Sequence, residues 1–196
     1  PSYWTQWLFA NNRPDVNLPC DISAKPTEVK PLTGGIGLQT WRTQAEFKSI
    51  QLTVDGKTVF ESDDLSPRTM DYQRGEWRFS DGALSQSSLD QDRRAIVKAV
   101  QIPVAKKAVL RLKAKKTGGD EGFIIMMGVS PESEFQWNLG GWGNTVHAFQ
   151  VDGGRVGAGK PGKIETGRWY DIRIEREGSV TRGYLDGELI EQMQDK

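Results

Sequence analysis

The chain has 196 residues, with 26 Lys+Arg against 26 Asp+Glu for a formal net charge of zero, 36% hydrophobic residues and 27% charged ones. Such an even balance provides no electrostatic attraction to nucleic acid or an anionic membrane, and the longest apolar runs, such as Gly122 to Val129, are too short to span a bilayer. The length fits one large β domain or a sandwich with a short appendage, and a single cysteine, Cys20, excludes an internal disulfide framework.

In chain order, Tyr3 to Ala10 reads as a short amphipathic helix carrying Trp4, Trp7 and Phe9. An extended stretch punctuated by Pro19, Pro26 and Pro31 follows it. Residues 1–32 therefore look like the end of a preceding domain, and the chain reads as starting in mid-protein. No base or positive site near Cys20 would activate it as a nucleophile. From Thr33 onward, short alternating or β-branched runs lie between Gly, Pro and Asp-Gly punctuation, which is the pattern of an antiparallel sandwich over residues 33–196. Strands are expected over Gly35 to Trp41, Glu46 to Val54, Lys57 to Glu61, Glu76 to Ser80, Ala83 to Ser88 and Ala95 to Ile102. Six more are expected over Lys107 to Lys116, Gly122 to Val129, Glu134 to Leu139, Thr145 to Val151, Trp169 to Glu177 and Ser179 to Leu185. The pairs Asp55-Gly56, Asp81-Gly82, Asp152-Gly153 and Asp186-Gly187 mark tight hairpins. In Val109 to Lys115 apolar and basic residues alternate, so one face should be buried and the cations should meet water.

The run Phe135 to His147 is the densest chemical cluster: two tryptophans, two asparagines and the chain's one histidine around a glycine-rich bend. Aromatic faces stack on the C–H side of a sugar ring, while amides and carboxylates bond pairs of hydroxyls. Trp137, Asn138, Trp142, Asn144 and His147 are therefore candidate sugar-binding residues. The competing reading makes the tryptophans core and the asparagines turn formers. A second polar group, Gln86, Asp92, Arg93, Arg94 and Glu121, supplies Gln86, Arg94 and Glu121 as further candidates, against ordinary surface ion pairing. A third, Gln39 to Phe47, carries Trp41 among polar side chains and could line the same face.

Enzymatic patterns are sparse. His147 has no nucleophile in a hydrolase elbow nearby, and no His or Cys pair has zinc spacing. The Asp-Gly turns do not form a calcium loop, although a structural calcium on scattered loop carboxylates is compatible with the sequence. Nothing local marks a carboxylate pair for glycoside hydrolysis, whose separation is a three-dimensional quantity.

Gly35 to Phe47, Gly75 to Leu84, Trp137-Asn138-Leu139-Gly140-Gly141-Trp142-Gly143-Asn144-Thr145 and Gly167 to Ile172 together resemble the concanavalin-like sandwich module of bacterial α-L-arabinofuranosidases of glycoside hydrolase family 51. The resemblance runs from about Gly34 to the C-terminus, and Pro1 to Asn12 looks like the last helix of that family's catalytic barrel. It implies an all-β jelly roll of two antiparallel sheets, non-catalytic because the barrel and its two glutamates are absent. It further implies binding of arabinose-bearing plant polysaccharide, no cofactor beyond the calcium already considered, the parent's barrel as partner, and a secreted, periplasmic or cell-surface bacterial location. Two alternatives stay open: a structural domain that supports the barrel without a ligand, and a sandwich-fold glycoside hydrolase, since fold alone does not decide function.

Overall fold

In the computed structural model, residues 33–98, 100–103 and 106–194 are described. The helix expected over Tyr3 to Ala10, the linker after it and Cys20 lie outside them. The first strand, β1 (Gly35–Thr40), leads into β2 (Thr43–Val54), and Asp55-Gly56 turns β2 back into β3 (Lys57–Ser62). Asp81-Gly82 joins β5 (Trp77–Ser80) to β6 (Ala83–Gln86), Asp152-Gly153 joins β11 (Val146–Val151) to β12 (Gly154–Arg155), and Asp186-Gly187 joins β15 (Val180–Leu185) to β16 (Glu188–Gln194). In all four pairs both residues take positive φ, between 46° and 85°. Two consecutive left-handed residues match the right-handed twist of the flanking strands.

The remaining strands are β4 (Met70–Arg74), β7 (Arg93–Val97), β8 (Lys107–Gly119), β9 (Phe123–Val129), β10 (Phe135–Gly140), β13 (Lys160–Pro161) and β14 (Trp169–Glu177). They form two sheets of eight. One runs β12-β11-β10-β9-β1-β7-β4 with β13 also on β11, and the other runs β16-β15-β14-β8-β2-β6-β5 with β3 also on β2. Neighbouring strands are antiparallel throughout. The chain is thus an all-β sandwich, as the sequence predicts.

Between the sheets lies one apolar core, with Ile36, Leu38, Phe123, Ile125, Trp137, Leu139 and Phe149 from the first sheet and Phe47, Leu52, Leu110, Leu112, Ile172 and Ile174 from the second. Each large side chain withdrawn from water contributes about 1.5–3 kcal/mol. In β8, Leu110, Leu112 and Ala114 enter this core. On the opposite face, Lys113 pairs with Asp171 and Lys115 with Glu46, both at 2.6 Å, the division that the alternation predicts.

Two expectations need correction. The strand expected over Ala95 to Ile102 ends at Val97, opposite Met70 where its neighbour β4 begins; one further in-register bond runs from the Lys98 N–H to the Thr69 carbonyl (2.7 Å), and Ile102 makes only a bridge to Gly34. Strands β4, β12, β13 and β16 were not anticipated. They are short or edge strands, rich in polar residues and weak in alternation.

Candidate functional site

The core-facing residues of the first sheet alternate with others that point to its outer face. Register places Arg94, Gln39, Ile124, Asn138 and Ala148 in one row across β7, β1, β9, β10 and β11, with Ile96, Gly37, Met126, Gln136 and Gln150 in the next. Connecting turns rise around these rows to enclose a recess of about 450 Å³. Its lining includes Gln39, Ile124, Gln136, Asn138 and Gln150 from the strands, Arg94, Asp92 and Glu134 at strand ends, and Trp41, Glu121, Trp142 and Gly153 on the turns.

The floor is a connected polar network. Gln136 donates through Nε2 to Gln39 Oε1 (3.0 Å) and Glu134 Oε1 (2.7 Å), bridging over β9, while Gln39 Nε2 donates to Asp92 Oδ1 (3.1 Å). Arg94 binds Glu134 through both terminal nitrogens and Asp92 through Nε. Burial disfavours the Arg94 charge, but the bonds to Glu134 and Asp92 outweigh it and hold the guanidinium above its ordinary pKa. Arg74 also pairs with Asp92. On the other side, Asn138 Nδ2 donates to Gln150 Oε1 at 3.3 Å. Such networks are rigid when satisfied.

Two tryptophans stand at the rim, 36% (Trp41) and 41% (Trp142) exposed. Trp142 projects from a single turn, Gly141–Asn144, built from left-handed residues: Gly140, Trp142, Gly143 and Asn144 all have φ between 52° and 73°. Glycine accommodates this φ readily, whereas Trp142 is held in it by its surroundings. A Cβ on Gly141 would lie 2.6 Å from the Asn138 carboxamide, so the turn packs directly on the floor. Glu121 Oε1 accepts the Gly143 N–H at 3.3 Å. Burial raises the Glu121 pKa, opposed by the backbone N–H groups of Gly143 and Trp142 and by Arg42. The Arg155 guanidinium lies 4.7 Å from the centre of the Trp142 ring.

Of the eight residues expected from sequence, Arg94, Glu121, Asn138 and Trp142 line the recess. The other four lie elsewhere. Trp137 is fully buried and faces the core, with its ring against Phe149, so it has no face free for stacking. Gln86 is a buried clamp: its Nε2 donates to Thr40 Oγ1 and to the carbonyls of Thr43 and Ser88. Asn144 locks the turn by bonding Ile164 both ways, from Nδ2 to the carbonyl (3.0 Å) and through Oδ1 from the N–H (2.8 Å). His147 is buried on the core side, where Nδ1 accepts the Gly140 N–H (3.0 Å), and burial lowers its pKa, favouring the neutral ring.

Sequence reasoning passed over Gln136, Glu134, Gln150 and Ile124. A signal existed for Gln136: Phe135-Gln136-Trp137-Asn138-Leu139 alternates strictly, which puts Gln136 beside Asn138 and turns Trp137 inward. Trp41 and Gln39 lay in the third group noted from sequence and do reach this face. Among the described residues no three His, Cys, Asp or Glu side chains converge as metal ligands.

Fold and recess together define an antiparallel β-sandwich with an aromatic-rimmed polar groove on one sheet. No family model matches the chain, and no solved structure matches it. Over 195 residues, 95% of the chain, it is 36% identical to an extracellular exo-α-L-arabinofuranosidase of Streptomyces chartreusis, and it spans 23% of that protein's length. The chain is therefore homologous to part of an arabinofuranosidase.

Proposed function

We propose that this chain is a non-catalytic carbohydrate-binding module of a secreted α-L-arabinofuranosidase, with a concanavalin-like jelly-roll fold and a parent of glycoside hydrolase family 51. Its ligand is arabinose-bearing plant polysaccharide such as arabinoxylan or arabinan. The observation that carries the reading is the recess itself: Trp41 and Trp142 at the rim of a hydrogen-bonded floor of amides and carboxylates. Exposed indole faces suit sugar C–H surfaces, and a few fixed polar groups orient hydroxyls.

The charge of the lining supports a neutral ligand. Asp92 and Glu134 are bonded to Arg94, Asp92 also pairs with Arg74, and Arg42 and Arg155 lie near Glu121 and Trp142, so the charges at the recess are committed to one another. The same commitments favour binding over hydrolysis, because Asp92 and Glu134 are tied to Arg94 and Glu121 to the Trp142 turn. The homology to part of an arabinofuranosidase supports the choice of sugar and of parent enzyme.

Native affinity electrophoresis of the chain in gels containing arabinoxylan, arabinan, xylan or no polymer tests the reading. Selective retardation by the arabinose-bearing polymers, abolished by Trp142→Ala, is the expected result. Absence of retardation by every polymer overturns it in favour of a structural domain, and release of reducing sugar by the chain overturns the non-catalytic assignment.

A further inference from the structure

Trp41 and Trp142 belong to different connections, β1 to β2 and β10 to β11, yet a chain of hydrogen bonds joins them. Thr43 Oγ1 donates to the Trp41 carbonyl (3.0 Å) and accepts the Glu121 N–H (3.1 Å). The carboxylate of the same Glu121 accepts the Gly143 N–H, one residue past Trp142. The turn carrying Glu121 grips both sides again on either flank. The Asp120 N–H donates to the Arg42 carbonyl (3.0 Å) and its carboxylate pairs with the Arg42 guanidinium (2.7 Å), while the Gly122 N–H donates to the Gly140 carbonyl (2.7 Å).

Thr43 is fully buried, so its hydroxyl serves this chain rather than solvent. The turn between β8 and β9 is thus bonded, residue by residue, to the two loops that bear the tryptophans. Neither loop bonds the other directly in the contacts above. A rigid spacing of two aromatic rings lowers the cost of ordering them on a ligand.

We propose that Asp120–Gly122, through Thr43 and Glu121, is a spacer that fixes the separation of Trp41 and Trp142. Glu121 is then a positioning residue, acting on the ligand through Trp142. For its functional consequence this rests on the sugar-binding reading; as a statement about the two rings it does not.

The experiment incorporates 5-fluorotryptophan into the 196-residue chain, with the Trp41 and Trp142 resonances assigned from Trp41→Phe and Trp142→Phe. Glu121→Ala is expected to shift and broaden the Trp142 signal, Thr43→Val to move the Trp41 signal, and Glu121→Gln, which keeps an acceptor for Gly143, to leave Trp142 near its original position. Unmoved Trp142 signals in Glu121→Ala overturn the spacer whether or not any polymer binds. In affinity gels with soluble arabinoxylan, Glu121→Ala should weaken retention about fivefold in the native background and less than about twofold in Trp142→Ala, since residues acting through one another are non-additive. Equal losses in both backgrounds make Glu121 a direct contact and refute its positioning role, while the binding reading survives. If arabinoxylan retards no form of the chain, the binding reading fails and the fluorine spectra alone decide the spacer.

Discussion

Glu191 of β16 reaches across the sandwich to accept the Phe149 N–H of β11 at 2.9 Å, filling a gap between the short edge strands β12 and β13. Burial pushes its carboxyl up to about 7, against the opposing pull of the Phe149 N–H and Arg155. The folded state therefore holds this proton more tightly than the unfolded chain, for which 4.5 is the reference value. The resulting stability is present in full below pH 4.5 and lost as pH rises through 7.

The difference in unfolding free energy between the native chain and Glu191→Gln isolates this group from the other carboxylates. Urea titrations from pH 4 to 8 should show that difference declining in the native chain's disfavour between about 4.5 and about 7. A difference independent of pH would refute the assignment.

The two tryptophans of the Trp137 to Thr145 run should respond in opposite ways. Trp137→Ala opens a cavity in the core and is expected to cost about 3–5 kcal/mol. Trp142→Ala removes a half-exposed ring and should change stability by about 0.5 kcal/mol or less, while lowering polysaccharide retention. Thermal unfolding and affinity gels on the same preparations separate the two effects.

Gly183 lies directly under the Trp137 ring. A Cβ there would sit 2.8 Å from Cζ2, closer than side chains approach. Gly183→Ala should destabilise by about 1–3 kcal/mol through overpacking. Native-like stability would mean that the two sheets can separate locally.

Arg94 holds Glu134 with two bonds, at 2.8 and 3.2 Å, and both side chains are only about one-fifth exposed. Its removal leaves Glu134 without its ion-pair partner and Asp92 with Arg74 as its cation. Breaking a buried pair costs about 3–5 kcal/mol, and partial exposure should reduce this to about 2 kcal/mol for Arg94→Ala. Arg94→Lys, which lacks the two-pronged geometry, should recover only part of it in the same denaturation experiment.

Asn144→Gly keeps the left-handed turn but removes both bonds to Ile164. A stability loss of about 1–2 kcal/mol is expected from these hydrogen bonds, accompanied by weaker polysaccharide retention as the Trp142 turn loosens. Retention equal to that of the native chain would show that Glu121 suffices to hold the turn.

Local chemistry determined much of this protein without reference to distant residues. An Asp-Gly pair prefers two consecutive left-handed φ values wherever it occurs, so the four hairpins could be read from dipeptides, and the alternation in Val109 to Lys115 marked which side of β8 meets water. The Asp186-Gly187 turn even implied a returning strand, yet β16 escaped notice because Glu188 to Gln194 alternates weakly. Only the tertiary structure decided the recess. Gln39 and Gln136 bond each other although 97 positions apart, because β1 and β10 flank β9 in the sheet. Alternation in Phe135 to Leu139 already turned Trp137 inward, but only the tertiary structure decided that Trp142 is exposed. The two are five residues apart in one glycine-rich run, and a left-handed turn braced by Glu121 and Asn144 carries the second out of the strand that buries the first. Strand pairing and bracing of this kind depend on residues remote in the chain, which no local pattern encodes.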